Sequence, residues 1–185
     1  MLLAVVMVAS LAVGCGGKKE AAAVSETEES KESVLVYGSG DYDSINPIMN
    51  EHCEIKHLLF DSLVARDGEG NLVSSLAKEW SYDEGTMTYN FKLRDGVKWH
   101  DGEAFTADDV KFTIEAIKNP ENGSENAPNY EEISAINVIS GTEIEFVLSE
   151  PNFAFLDYMT MSIMPEHKLT GEDLWESDFF KAPVG

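Results

Sequence analysis

Glu51, His52, Cys53 and His57, all of metal-ligating type, lie close together in one short stretch. Cys53 and His57 are four apart, so a helix would carry them on one face. With Glu51 or His52 they would offer a donor set for a soft or borderline metal. No HExxH or CxxC pattern accompanies them, so no metal site is assigned. The next cluster is His100-Asp101-Gly102, followed by Asp108 and Asp109. Asp101 before a glycine reads as a turn residue rather than an acid catalyst. His100 reads as a hydrogen-bonded or solvent-facing histidine. Asp108 and Asp109 fall in the first turn of an expected helix, where negative charge is favoured, so they read as capping groups. GxSxG, P-loop and dinucleotide fingerprints are absent. A surface hydrolase is the enzymatic alternative, but carboxylates are abundant in so acidic a chain and their presence alone says little.

The other thiol is Cys15. Leu2–Gly14 is an uncharged apolar run of 13 residues, too short to span a bilayer, which needs about 20. It matches the apolar core of an export signal, although no basic residue precedes Leu2. Leu11-Ala12-Val13-Gly14-Cys15 looks like a lipobox. Its small residues fit the peptidase pocket, cleavage falls before Cys15, and the Cys15 thiol carries the lipid. Residues 15–33 are rich in Glu, Ser and Ala and read as a flexible acidic tether. Residues 34–185 are the expected folded part.

Those candidates need a scaffold, and the composition supplies one. The chain has 185 residues, 43% hydrophobic, which suits about one domain with a core. Its net charge of −21 argues against nucleic acid and against a basic patch on anionic lipid. Two cysteines permit no disulfide framework. Val34–Tyr37 is apolar on both faces and reads as a buried strand. Asn50 is placed to cap a helix bearing Ile55, Leu58, Leu59 and Leu63 and ending near Asp67-Gly68. Met87, Tyr89, Phe91 and Leu93 alternate as a half-buried strand; Val97 and Trp99 alternate in a short second one. Glycines at 85, 96 and 102 supply freedom to the turns around them. Thr106 and Asp109 form a capping box for a helix with Val110, Ile114 and Ile117 inside, stopped at Asn119-Pro120. Ile136 and Val138 pair with Ile144, Phe146 and Leu148 across Ser140-Gly141-Thr142. A short helix after Pro151 buries Phe153 and Phe155. The fold class is α/β, mixed with α+β character.

Leu76–Ile117 reads LAKEWSYDEGTMTYNFKLRDGVKWHDGEAFTADDVKFTIEAI. Its ordered elements are Leu76-Ala77 with Trp80, then Phe91, Leu93 and Arg94, then Trp99-His100-Asp101-Gly102, then Phe105-Thr106-Ala107 with Asp109-Val110. Ser44-Ile45-Asn46-Pro47, Leu59-Phe60-Asp61-Ser62-Leu63, Ile163-Met164-Pro165-Glu166-His167 and Pro183-Val184-Gly185 belong to the same pattern. Together they resemble the bacterial extracellular solute-binding proteins of family 5, which include oligopeptide-, dipeptide- and nickel-binding subunits of ABC importers.

The resemblance implies a periplasmic-binding-protein-like type II fold, whose two lobes close on a ligand by hinge motion. Family members are more than twice this length, so it implies an N-terminal part: the first strand of one lobe and most of an extra subdomain. It implies ligand contacts from the loop Met49, Asn50, Glu51, His52 and Cys53, from the aromatic Tyr130, and from Thr160-Met161-Ser162. The implied function is capture of a short peptide, or of nickel chelate, haem or another solute, for delivery to permease and ATPase subunits. It implies neither enzyme nor cofactor, and an exported protein held by lipid on Cys15 at the outer face of the membrane or facing the periplasm. An acidic surface protein with only an adhesive or signalling role is the third class.

Overall fold

Strand β4 (Thr88–Leu93) is the element around which the rest is built. Tyr89, Phe91 and Leu93 point into the core, while Asn90 and Lys92 face outward. In the computed structural model, which describes Val36, Gly38, residues 44–49 and residues 55–185, β4 lies inside a four-stranded antiparallel sheet. β3 (Ala77–Asp83) flanks it on one side, with Trp80 opposite Phe91 and Tyr82 opposite Tyr89. β6 (Glu143–Leu148) flanks it on the other and pairs onward to β5 (Ile133–Ser140), giving the order β3-β4-β6-β5. The β5–β6 register sets Ile136 against Phe146 and Val138 against Ile144, as the alternation requires.

Helix α2 (Ala107–Lys118) packs along β5. It starts where expected. The Thr106 hydroxyl accepts from the Asp108 amide at 3.2 Å, and the Asp109 carboxylate accepts from the Thr106 amide at 2.8 Å. Val110, Ile114 and Ile117 form its buried stripe. The sheet's inner face and α2 meet in one core with Phe91, Phe146 and Phe155 at its centre. The whole of this architecture belongs to the unit Gly38–Gly185. Among the described residues no helix is long and apolar enough to cross a membrane.

Several expectations change. The helix expected to run on to Asp67 is only Lys56–Leu59 (α1), because Phe60 turns to extended backbone. Val64–Arg66 (β1) then pairs with Leu72–Ser74 (β2) as a hairpin. Asp67 is its turn rather than a helix stop: its carboxylate accepts from the Glu69 and Asn71 amides, each at 2.9 Å, and Gly70 takes φ +86°. β3 is new, and its pattern explains why. A bulge at Lys78 sets Ala77 and Trp80 three apart on the inner side, which breaks the period of two. The Val97/Trp99 strand contracts to a single bridge between Lys98 and Ala104. Met87 is not in the strand; it takes φ +51° in the preceding turn, a conformation reserved in sequence for Gly85.

Finally, Phe155 is buried in α3 (Phe155–Tyr158), but Phe153 is 100% exposed. Asn152 accepts from the Ala154 amide at 2.8 Å and starts the helix one residue later, so the two rings face opposite ways. Of the expected strand Val34–Tyr37 only Val36 is described. It lies in no strand and is 88% exposed. Residues 1–33, with the export signal, Cys15 and the tether, lie outside the described residues.

Candidate functional site

Asn46 fixes the start of the site. It is buried, and its side-chain amide donates to the Leu174 carbonyl at 2.6 Å while its oxygen accepts from the Ile48 amide at 3.1 Å. Ser124 donates to the Ile48 carbonyl. The Asn46-Pro47 element is therefore a knot tying this loop to two distant segments. Met49 follows it, half-buried and packed against the core. Asn50, Glu51, His52 and Cys53 lie outside the described residues.

Beyond them, α1 and the strand that follows are joined to the 159–163 segment. The Ile163 amide donates to the Asp61 carbonyl at 2.9 Å, the Val64 amide donates to the Met159 carbonyl at 3.2 Å, and Ser62 bridges Ser162. A groove of about 380 Å³ opens along this seam. His57, Asp61, Ser62, Arg66 and Thr160 are among its lining residues. Of the contacts expected from sequence, Thr160 lines this groove and Met49 does not. Met161 sits beside Thr160, half-buried against the core. Asp61, Ser62 and Arg66, which also line it, were not singled out from the sequence. Ser62 and Asp61 stood inside the Leu59–Leu63 element, where apolar spacing drew the eye to the core.

Tyr130 is elsewhere. It is 1% exposed, its hydroxyl donates to the Tyr158 carbonyl at 2.8 Å, and burial pushes its phenol pKa up. Here its ring and its hydroxyl serve packing.

The Trp-His-Asp-Gly turn and the Pro-Glu-His segment form a second assembly, and it is structural. Asp109 is buried, and its two oxygens accept from the Thr106 amide, the Glu166 amide at 2.9 Å and the Trp99 indole at 3.4 Å. Burial raises its pKa, against the pull of those three donors. Asp101 receives His167 Nε2 at 3.0 Å and Lys168 Nζ at 2.8 Å. α4 (Glu166–Leu169) is thereby held onto the turn. Lys168 first, then His167, holds the Asp101 carboxyl well below its ordinary 3.8. A depressed acid stabilises the fold above its unfolded pKa and loses that contribution as acid protonates the folded form. Urea unfolding of Asp101→Asn and parent chains should therefore differ at pH 6 and draw together as pH falls well below 3.8. A constant difference across that range would contradict the ion-pair account.

His100, as expected, is exposed and hydrogen-bonded. Its Nδ1 accepts from the Gly185 amide at 3.1 Å. Among the described residues no group of three or more His, Cys, Asp or Glu is placed to hold a metal.

The profile of the bacterial extracellular solute-binding proteins, family 5 Middle, matches residues 71–185. The chain belongs to that family. A protein from Brucella ovis named a putative ABC transporter peptide-binding protein is 38% identical over 112 residues, covering 60% of this chain and 21% of its own length. The oligopeptide-binding protein AppA of Bacillus subtilis is 29% identical over 199 residues, covering 100% of this chain and 37% of AppA.

Among solved structures, NikZ from Campylobacter jejuni in complex with Ni(L-His) superposes with TM-score 0.75 and 38% identity, over 79% of this chain and 30% of NikZ. AppA with a bound nonapeptide gives TM-score 0.70 and 25% identity, over 80% and 31%. The chain is thus a mixed α/β part of the periplasmic-binding-protein fold, and it spans 21% to 37% of the length of these two curated relatives.

Proposed function

We propose that this chain supplies part of the clamp with which an ABC importer captures its solute outside the cell, and that the solute is a short peptide. The observation that carries this reading is the likeness to AppA, named for oligopeptide binding, over the entire chain. The polar groove between Asp61 and Thr160 supports it. An extended peptide is held by its main-chain groups, which need hydroxyls, carboxylates and carbonyls rather than a reactive nucleophile. Met49 and Met161 flank the groove-forming segments as apolar contacts, and the family resemblance adds Asn50, Glu51, His52 and Cys53 to the proposed contacts. Permease and ATPase subunits are the partners, and they supply the energy. Cys15 carries the lipid that holds the protein at the outer membrane face, residues 15–33 are the tether, and residues 34–185 are the binding part.

Capture of a nickel chelate is the second reading, favoured by the higher identity to NikZ than to AppA among the structures. Thermal unfolding separates the two. A ligand present at a hundred times its Kd adds about 2.7 kcal/mol, a rise of roughly 5–10 °C for a chain of this size. The expected result is a rise of that order with a tripeptide mixture and none with nickel–histidine. The reverse would transfer the assignment to the chelate; no rise with either would remove the clamp reading.

A further inference from the structure

We infer that Asn122 is a spontaneous deamidation site that the folded chain holds shut, and that its acidic product loosens the end of α2. The inference stands apart from the clamp reading. Asn122-Gly123 is the sequence's single Asn-Gly pair. Such a pair closes on itself readily, because glycine has no side chain to obstruct its own amide. The Gly123 nitrogen attacks Asn122 Cγ, a new N–C bond forms, and the Cγ–Nδ2 bond breaks. Ammonia leaves, carrying the proton that the Gly123 amide gives up. Water then opens the succinimide ring at either of its two carbonyls. One opening gives aspartate, the other isoaspartate.

The fold occupies every group this reaction must free. The Asn119 amide closes α2 on the Glu115 carbonyl at 2.9 Å. The next carbonyl, that of Ala116, has Pro120 four residues on, which carries no N–H. The Asn122 side-chain amide supplies the missing donor at 2.8 Å. The Gly123 amide donates to the Pro120 carbonyl at 3.2 Å, and the Asn122 main-chain carbonyl accepts from the Trp175 indole at 2.7 Å. Ring closure breaks the first two of these bonds. It also turns the backbone of a residue that Trp175 holds in the 3₁₀ turn Pro120–Asn122. The product then undoes the cap. A carboxylate offers Ala116 no donor. It also adds negative charge at a helix C-terminus, where charge of that sign is unfavourable. Glu115 and Glu172 line the same hollow of about 270 Å³ as Asn122 and add like-charge repulsion.

Peptide mapping by mass spectrometry follows the amide-to-acid conversion in the full chain, held in mildly alkaline buffer with and without unfolding urea. Conversion at Asn122 should be at least tenfold slower in the folded chain, and in urea it should outpace every other asparagine. Trp175→Phe should speed the folded reaction at least threefold and leave the rate in urea unchanged. Two further variants test the product without waiting for the reaction. At neutral pH Asn122→Asp should unfold in less urea than Asn122→Ala. The order should reverse as acid protonates the new carboxyl, which then regains a donor for Ala116. Equal rates in folded and unfolded chains, faster conversion at another asparagine in urea, a folded rate unmoved by Trp175→Phe, or Asn122→Asp no weaker than Asn122→Ala at neutral pH would overturn the inference.

Discussion

Asp109→Ala should cost about 3–5 kcal/mol of folding stability. The carboxylate is buried and is the acceptor for two main-chain amides and an indole. Its removal strands all three donors. Each buried donor without a partner costs about 1–3 kcal/mol, and water entering the vacated space recovers part of the sum. The loss also reaches beyond α2, because the Glu166 amide anchors α4 and Trp99 closes the turn before Thr106. Asp109→Asn keeps one acceptor oxygen, so it should cost about 1–2 kcal/mol. Urea unfolding followed by tryptophan fluorescence checks both. A loss below about 1 kcal/mol for the alanine variant would mean that the carboxylate is an ordinary helix cap.

Phe91→Ala should cost a similar amount, about 3–5 kcal/mol, for a different reason. The ring is 0% exposed in the central strand and meets Phe146 edge-on at 5.7 Å between centroids. Trp80, Tyr89 and Phe155 surround it at 6.3–6.5 Å. Its loss leaves a cavity that a hydrogen-bonded sheet cannot close by collapse. Phe153→Ala is the matched control, because that ring is fully exposed; it should change stability by less than about 0.5 kcal/mol. Equal effects at 91 and 153 would contradict the placement of the core.

These two sites mark where the sequence was readable and where it was not. The core was plain at β4, α2 and the β5–β6 hairpin because a local rule governs each. Tyr89, Phe91 and Leu93 alternate, Thr106 and Asp109 cap, and Ser140-Gly141-Thr142 turns. β3 was hidden by one inserted residue at Lys78. The first helix was overdrawn because Leu58, Leu59 and Leu63 have helical spacing, while the decisive signal, Asp67 closing a hairpin through two amides, acts at short range and looks like a helix stop.

Asp109 was read correctly as a cap. Its bonds to Glu166 and Trp99 span 57 and 10 residues, and no local pattern announces them. The groove was half legible. Thr160 stood in a segment named from the family pattern, but the hydrogen bonds that bring it to Asp61 and Ser62 join positions about a hundred residues apart.

The most direct measurement is equilibrium dialysis of the full chain against a radiolabelled tripeptide, with the peptide recovered afterwards and weighed by mass spectrometry. A clamp predicts saturable uptake at one site per chain and return of every molecule with its mass unaltered. Peptide that comes back cleaved or modified, or uptake that never saturates, would contradict the account.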